Sequence, residues 1–377
     1  MTVNEGVLYN RIKGALYGVA IGDALGAPRE FLSADEAMKQ FGRARGLVGG
    51  GVMNCTAGHG TDDTQMTLDE AYSILENSKN PVPVAGDRFI EWMIHDGEGI
   101  GIMTSHVLSE GLTVRTRQGS PLTYDQWMKL SRRYATSTQR AGGNGALMRS
   151  VYPGLYYSSR NEASNKAIQL GRITHWDINS DYAVMVYTQF IHDCTSRYEL
   201  PEKDQMQEDL ITAKVKTTRN EVASYMSLMA EPTGWVVDSM KNVLDAFQKN
   251  TTFESTLMDA VERGGDADTI GAITGGIAGA WYGFDKIPDR WISQLDKMIA
   301  ENLDELAEEA FKNRYGEPKR NRYRISFVDG YTNIFSTREI VSKTRDEAVA
   351  SLFRERGENF EHRITSICEN GKLIEEY

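Results

Sequence analysis

Two short acidic segments contain the residue types that bind hard divalent cations. Thr61-Asp62-Asp63-Thr64 follows a Gly-His-Gly triplet, and Asp266-Ala267-Asp268-Thr269 follows two glycines. An apolar helical pattern comes after each segment. Carboxylate and hydroxyl oxygens suit Mg²⁺, Mn²⁺ or Ca²⁺ better than Zn²⁺. The two segments are therefore candidates for parts of a metal site.

Acidic residues at the start of a helix also have a purely structural explanation. They cap free backbone N–H groups and interact favourably with the helix dipole. Capping does not explain why threonine accompanies the acids in both segments, or why glycines precede both. If the two helix starts meet, four carboxylates share one small volume, which requires cations. We therefore favour the metal-site interpretation.

The elements that must position these segments are helical. Apolar residues recur at three and four positions from Leu8 to about Arg314, so we expect an all-α body. The candidate helices are 9–25, 62–76, 84–96, 164–174, 181–193, 205–229, 234–248, 253–264, 268–282 and 288–314.

Two of the predicted helices carry a glycine at every fourth position: Gly14, Gly18, Gly22 and Gly26 in one, and Gly271, Gly275, Gly279 and Gly283 in the other. Each glycine costs roughly 1 kcal/mol in a helix interior relative to alanine. The compensating gain is that the backbones of two helices can approach more closely than the usual distance of roughly 8–10 Å between packed helix axes. We therefore place both helices in the centre of the bundle, where they could pack against each other.

The composition changes near Glu317. The basic stretch Lys319–Arg324 precedes a strand pattern at 323–328, a helix pattern at 346–356 and a hairpin pattern at 362–367 and 372–375 around an Asn-Gly turn. We therefore divide the chain into a domain at 1–316 and a small α+β appendage at 319–377. The appendage either binds a partner or covers the body or mediates oligomerisation.

The bulk composition is ordinary for a soluble globular protein, with 377 residues, 40% hydrophobic and 25% charged. The net charge of −11 argues against a general nucleic-acid binder, so nucleic acid is a possible partner only for the appendage. Three cysteines without paired spacing, Cys55, Cys194 and Cys368, indicate a reducing compartment. With no signal-peptide pattern and no apolar run long enough to span a bilayer, we expect a cytoplasmic protein without membrane partners.

Five motifs make the chain resemble the ADP-ribosylglycohydrolases, a family that includes the dinitrogenase-reductase-activating glycohydrolase and the ADP-ribosylarginine and ADP-ribosylserine hydrolases. They are Gly14–Gly26, Gly60–Thr64, Gly142–Arg149, Thr174-His175 and Gly264–Ile270, in the family's order. The resemblance implies a compact orthogonal multi-helix bundle and a centre of two Mg²⁺ ions, with Mn²⁺ as the alternative. It implies six metal ligands: Thr61, Asp62, Asp63, Asp266, Asp268 and Thr269.

The same resemblance implies substrate contacts. Glu30 matches a glutamate on a mobile loop over the metals, and His175 matches a contact on the ribose or adenine side. The remaining matches are Gly143, Asn144 and Gly145 in a loop that cradles the phosphates of ADP-ribose, and Gly234 and Trp235 in a loop that lines the substrate. Backbone N–H groups of a glycine-rich loop suit phosphates, and an indole can stack on adenine. Without the resemblance, the glycine loop would be interpreted as a turn, His175 as a structural histidine and Glu30 as a surface acid.

The expected chemistry is hydrolysis of the N- or O-glycosidic bond that links ADP-ribose to a modified protein or another target. Two metals would orient the ribose hydroxyls, and a carboxylate would activate water, with Glu30 and Asp63 as the candidates. Residues 1–316 would form the catalytic domain. Some family members carry an Asp-Ile-Gly turn where this chain has Gly99-Ile100-Gly101, which weakens an arginine-linked assignment unless Asp96 or Glu98 substitutes.

Three other functions stay open. A non-catalytic ADP-ribose-binding protein or a structural protein of the crystallin type would share the fold, and the complete set of proposed ligands counts against both. A metal-dependent phosphohydrolase would alternate His and Asp around the metals, whereas only His59 adjoins either acidic segment. It also stays open which linkage is cleaved: one through arginine, serine, a nucleic-acid base or another group.

Overall fold

The computed structural model describes residues 3–138, 141–215, 225–316, 321–329, 335–342, 345, 348–349, 352, 362–369 and 372–376. The chain divides into two compact units, Tyr9–Arg314 and a second unit of Met1–Leu8 with Tyr315–Tyr377. None of the helices in the described ranges is long and apolar enough to cross a membrane.

The larger unit is helical, which confirms the predicted all-α body. The helices are α1 Val3–Gly26, α2 Ala34–Phe41, α3 Asp62–Glu76, α4 Val82–His95, α5 Ile102–Gln118, α6 Tyr124–Thr138, α7 Val151–Tyr156, α8 Arg160–Gly171, α9 Ile178–Ser196, α10 Gln205–Val215, α11 Val236–Lys249, α12 Phe253–Val261, α13 Ala267–Tyr282, α14 Asp289–Gln294 and α15 Lys297–Tyr315.

Helix α3 begins and ends where the periodicity predicted, but the single helix predicted at 288–314 is wrong. The chain forms α14 and α15 there, because Oδ1 of Asp296 accepts the backbone N–H groups of Met298 and Ile299 (2.9 and 3.1 Å) and starts a new helix. The predicted helix 205–229 ends too late: 225–229 are not helical, and 216–224 lie outside the described residues. The sequence analysis missed α2, α5, α6 and α7.

Helices α1 and α13 pack backbone against backbone through their glycines, which confirms the predicted central pair. A Cβ added to Gly18 would lie 2.0 Å from the carbonyl oxygen of Gly275, and one added to Gly22 would lie 2.1 Å from that of Gly271. Higher numbers on one helix face lower numbers on the other, so the two helices are antiparallel. The beginning of α13 therefore lies beside the end of α1.

The C-terminal unit contains a four-stranded antiparallel sheet in the order β2-β1-β3-β4, with β1 Asn321–Asp329, β2 Phe335–Ser342, β3 His362–Glu369 and β4 Lys372–Glu376. The predicted strand at 323–328 and both predicted hairpin strands are present, whereas β2 was missed. The Asn370-Gly371 turn lies outside the described residues. Ala348 and Leu352, both helical, pack with Ile325, Phe327 and Ile367 in a small apolar core.

Candidate functional site

Asp23 anchors the first acidic segment to the glycine-striped helix. Its fully buried carboxylate accepts hydrogen bonds from the backbone N–H and hydroxyl of Thr61 (2.9 and 3.0 Å). The backbone N–H of Thr64 (3.0 Å) and the Thr64 hydroxyl donate to it as well. A carboxylate with four donors holds its geometry tightly. The end of α1 therefore fixes the beginning of α3.

The two acidic segments meet in the folded chain. The hydroxyl of Thr269 donates to Oδ2 of Asp63 (3.2 Å), and the hydroxyl of Thr61 lies 3.4 Å from the same oxygen. Asp62, Asp63 and Asp268 are buried. The starts of α3 and α13 thus share one small volume, and the six residues predicted as metal ligands belong to these two helix starts.

Glu30 joins this group from the other side. Carboxylate oxygens of Glu30, Asp266 and Asp268 lie within 4.8 Å of one another. After Glu30, the N–H of Phe31 donates to the carbonyl of Gly265, and the N–H of Gly265 donates to that of Leu32 (both 2.7 Å). These two bonds tie the Glu30 segment to the turn that precedes α13. The predicted loop over the metals is thus held in place in this conformation.

The carboxylates raise one another's pKa. Burial is the largest cause for Asp62, Asp63 and Asp268, whose pKa values lie well above the usual range, and neighbouring carboxylates add to it. Burial, with the charge of Asp266, raises the pKa of Glu30 to about 8. Such a cluster is unfavourable unless protons or cations neutralise it.

The donor set fits hard divalent cations. Within the described ranges, Oδ1 of Asp63 and Oε2 of Glu30 are buried without a hydrogen-bond partner. The guanidinium of Arg149 interacts with Asp62 electrostatically, but it is already paired with Glu70 (3.4 Å). Buried, partnerless carboxylate oxygens in an all-oxygen cluster are what Mg²⁺ or Mn²⁺ ligation requires.

The glycine loop at 142–145 lies against the segment that begins α11. The N–H of Asn144 donates to the carbonyl of Gly234 (3.1 Å), and the N–H of Val236 donates to that of Gly142 (2.9 Å). The Asn144 side chain donates to Oγ of Ser239 (2.9 Å) and also to Oδ2 of Asp266. Its amide therefore orients a proposed metal ligand, a contact that the sequence did not suggest.

His175 and Trp235 both border this loop. Nε2 of the buried His175 lies 3.1 Å from where a Cβ would stand on Gly143 and 3.2 Å from that of Gly145. Burial, with the charge of Arg149, holds the pKa of His175 well below its usual range. Trp235 is 47% exposed, and its indole nitrogen lies 3.2 Å from the Cβ position of Gly142. The structure thus gathers the predicted substrate residues around one glycine cradle, residues 143–145.

Sequence reasoning missed a buried ion pair behind the cradle. Glu70 and Arg149 are 1% and 0% exposed. Arg149 lies over the ring of Phe89, 4.9 Å from its centre, and burial raises the pKa of Glu70 against the opposing effect of Arg149. A signal was present, because Glu70 shares the apolar face of α3 with Met66 at helical spacing.

The turn at Gly99-Ile100-Gly101 also reaches the site. A Cβ added to Gly99 would lie 2.6 Å from Oδ1 of Asp62. Asp96 and Glu98 are exposed residues of the same segment. The backbone of Gly99 therefore occupies the space beside Asp62.

Comparison with known proteins gives one consistent result. The family described as ADP-ribosylglycohydrolase matches residues 4–320. The chain is 28% identical over 298 residues to the ADP-ribosyl-[dinitrogen reductase] glycohydrolase of Rhodospirillum rubrum, covering 78% of this chain and 94% of that protein. It is 26% identical over 329 residues to an ADP-ribosylarginine hydrolase of Serratia proteamaculans, covering 82% and 81%.

A solved structure is also similar. A chain of an "ADP-ribosylglycohydrolase-related protein complex" superposes with a TM-score of 0.67 at 27% identity, covering 82% of this chain and 99% of that chain.

Proposed function

The chain belongs to the ADP-ribosylglycohydrolase family and is a hydrolase of ADP-ribosyl groups, and we propose that it uses two Mg²⁺ ions to cleave the N- or O-glycosidic bond between ADP-ribose and a modified target. The observation that carries this proposal is the hydrogen bond between Thr269 and Asp63, which joins the two acidic segments into one buried oxygen cluster. Manganese would fit the same ligands.

The proposed ligands are Thr61, Asp62, Asp63, Asp266, Asp268 and Thr269. When bound, the ions would polarise and orient the ribose hydroxyls beside the scissile bond. Asp23 supports this set through Thr61 and Thr64, and Asn144 supports it through Asp266. Such supporting contacts orient the ligating oxygens.

We favour Glu30 over Asp63 as the group that takes a proton from the attacking water. Oδ2 of Asp63 accepts the hydroxyl of Thr269 (3.2 Å), and the residue is fully buried between the two helix starts. Glu30 has an unpartnered oxygen, as Asp63 does, but it lies outside the two helix starts, on a short connecting segment that borders the acidic cluster.

The cradle would hold the ADP-ribose itself. Gly143 and Gly145 have no side chain where the ring of His175 packs against the loop, so Nε2 of His175 lies beside the loop backbone. The half-exposed ring of Trp235 offers a stacking surface for adenine. Because relatives are described as acting on arginine-modified or dinitrogen-reductase targets, an ADP-ribosylated protein is the first target class to test.

The direct test is a panel of arginine-, serine- and nucleic-acid-linked ADP-ribose conjugates, incubated with Mg²⁺ or with EDTA. We expect Mg²⁺-dependent release of free ADP-ribose from at least one conjugate. Asp62→Asn should abolish it, and Asp289→Asn, an exposed aspartate of α14, should not. Binding of ADP-ribose without turnover of any conjugate would favour the non-catalytic alternative, and release of phosphate would favour a phosphohydrolase.

A further inference from the structure

Four buried side chains form a continuous polar chain behind the glycine cradle. Glu70 pairs with Nε of Arg149 (3.4 Å), Nη2 of Arg149 donates to the Thr174 hydroxyl (3.0 Å), and that hydroxyl lies 2.7 Å from Nδ1 of His175. All four are at most 3% exposed. Arg149 also donates to the carbonyl of Gly145, so the same guanidinium holds the cradle and the hydroxyl beside it.

The chemistry of these groups determines where the protons lie. A guanidinium can only donate, so the Thr174 oxygen is the acceptor of the bond from Arg149. Within the described ranges, the structure gives this hydroxyl one other polar partner, Nδ1 of His175. The hydroxyl proton is therefore directed at Nδ1. The opposite arrangement would leave a buried O–H unsatisfied, at a cost of about 1–3 kcal/mol.

An Nδ1 atom that accepts a hydrogen bond leaves the proton of a neutral imidazole on Nε2. Burial and the charge of Arg149 both lower the pKa of His175, which keeps the ring neutral. Nε2 borders the cradle beside Gly143 and Gly145, and among the described residues it has no hydrogen-bond acceptor. The N–H is therefore available to an oxygen atom bound in the cradle.

We propose that Arg149, anchored on Glu70, is a positioning residue that orients the Thr174 hydroxyl and so fixes His175 as the Nε2–H tautomer, with its N–H directed at an oxygen of ADP-ribose in the cradle. The identity of the ligand rests on the proposed function, whereas the tautomer does not. If Arg149 and Glu70 formed only a structural ion pair, the tautomer of His175 would not depend on Arg149.

The first test reads the tautomer directly. In the full-length protein labelled with ¹⁵N-histidine, the ring nitrogens of His175 are assigned by their loss in His175→Gln. We expect a protonated Nε2 and an unprotonated Nδ1 in the wild type. Thr174→Val should shift the signals toward a mixture of tautomers, and Thr174→Ser, which keeps a hydroxyl, should restore the wild-type spectrum.

Thr188→Val is the matched control, because Thr188 is equally buried and its hydroxyl donates to the carbonyl of Ser150 (3.2 Å), not to a histidine. It should leave the His175 signals unchanged. A wild-type spectrum with the proton on Nδ1, or a Thr174→Val spectrum identical to the wild type, would overturn the proposal. Arg149→Lys should also shift the tautomer balance, and the threonine variants carry the test if this variant does not fold.

The second test measures the affinity for ADP-ribose by calorimetry in MgCl₂. Thr174→Val should weaken binding about tenfold, with Thr174→Ser and Thr188→Val near the wild type. In turnover measurements, Thr174→Val should raise KM more than it lowers kcat, because the His175 contact is made in the ground state as well. If the wild type binds no ADP-ribose, the proposed function fails, and the NMR experiment still decides the tautomer. Unchanged binding in Thr174→Val, with wild-type binding intact, would contradict the proposed ligand contact.

Discussion

The hydroxyl of Thr269 lies 3.2 Å from a carboxylate oxygen of Asp63, although 206 positions separate the two residues. The contact is possible because glycines let α1 and α13 approach closely, while Asp23 near the end of α1 holds the start of α3. The packing of three helices thus concentrates carboxylates whose mutual repulsion must be offset.

Asp268→Asn should stabilise the metal-free protein and remove its stabilisation by Mg²⁺. The Asp268 carboxylate makes it less favourable to bury the neighbouring carboxylates when no cation is bound. Its loss should therefore increase the free energy of unfolding in EDTA by roughly 1–2 kcal/mol. The wild type should gain about 3 kcal/mol when Mg²⁺ exceeds its Kd a hundredfold, and the variant much less. Thermal unfolding in EDTA and in MgCl₂ measures both effects. Asp289→Asn should behave as the wild type, and equal Mg²⁺ stabilisation in Asp268→Asn would contradict the ligand role.

Asp23→Asn should weaken the site without replacing any of the proposed ligands. The amide NH₂ would face donors of Thr61 and Thr64 that the carboxylate now accepts, so we expect a loss of about 2–4 kcal/mol in stability and about 10–100-fold in Mg²⁺ affinity. Chemical denaturation and calorimetry give the two numbers. The control is Asp296→Asn, since Asp296 also accepts backbone N–H groups but asparagine caps a helix equally well. Similar losses in both variants would argue against a special role for Asp23.

Gly18→Ala should destabilise the larger unit by about 3 kcal/mol or more, because the new methyl group would overlap the carbonyl oxygen of Gly275 at 2.0 Å. Urea denaturation followed by circular dichroism measures the change. Gly101→Ala is the control, since among the described residues no atom beyond its own chain neighbours lies within 4 Å of its Cβ position. A Gly18→Ala protein as stable as the control would show that the two backbones do not pack as described.

Trp235→Ala should lower the affinity for ADP-ribose about 5–100-fold, the range expected when a base loses an aromatic stacking partner. The affinity for ribose 5-phosphate should not change, because that ligand has no adenine. Trp235→Phe should retain most of the affinity for ADP-ribose. Isothermal titration with both ligands in MgCl₂ makes the comparison, and a parallel loss for ribose 5-phosphate would place Trp235 elsewhere than on adenine.

Glu30→Gln should reduce kcat about 10²–10⁴-fold if Glu30 activates the water. The increase of Tm on adding MgCl₂ should survive, because the proposed ligands lie on the two helix starts. Glu36→Gln serves as the control, since Glu36 is an exposed member of the capping box of α2, where glutamine functions as well. If Glu30→Gln keeps its kcat while Asp63→Asn retains Mg²⁺ stabilisation and loses turnover, Asp63 is the base.

The sequence by itself determined the local features. The limits of α3 follow from apolar spacing, and the packing of α1 on α13 follows from two glycine stripes whose cost only close contact can offset. The residue types at the two helix starts indicated hard cations, because oxygen donors and their spacing are properties of a few adjacent residues. In the missed helix α5, polar and apolar residues are spread around the helix, which weakened the periodic signal. Helix α6 does carry a clear apolar face, which the sequence analysis missed.

The tertiary structure alone decided which distant groups meet. Nothing in the spacing of Asn144 showed that its amide would reach Asp266, and Arg149 gave no sign that it would lie between Glu70 and Thr174. Such contacts depend on which faces of different helices pack together. Periodicity specifies that a residue is buried, but the partner it finds there is set by the packing of the whole unit.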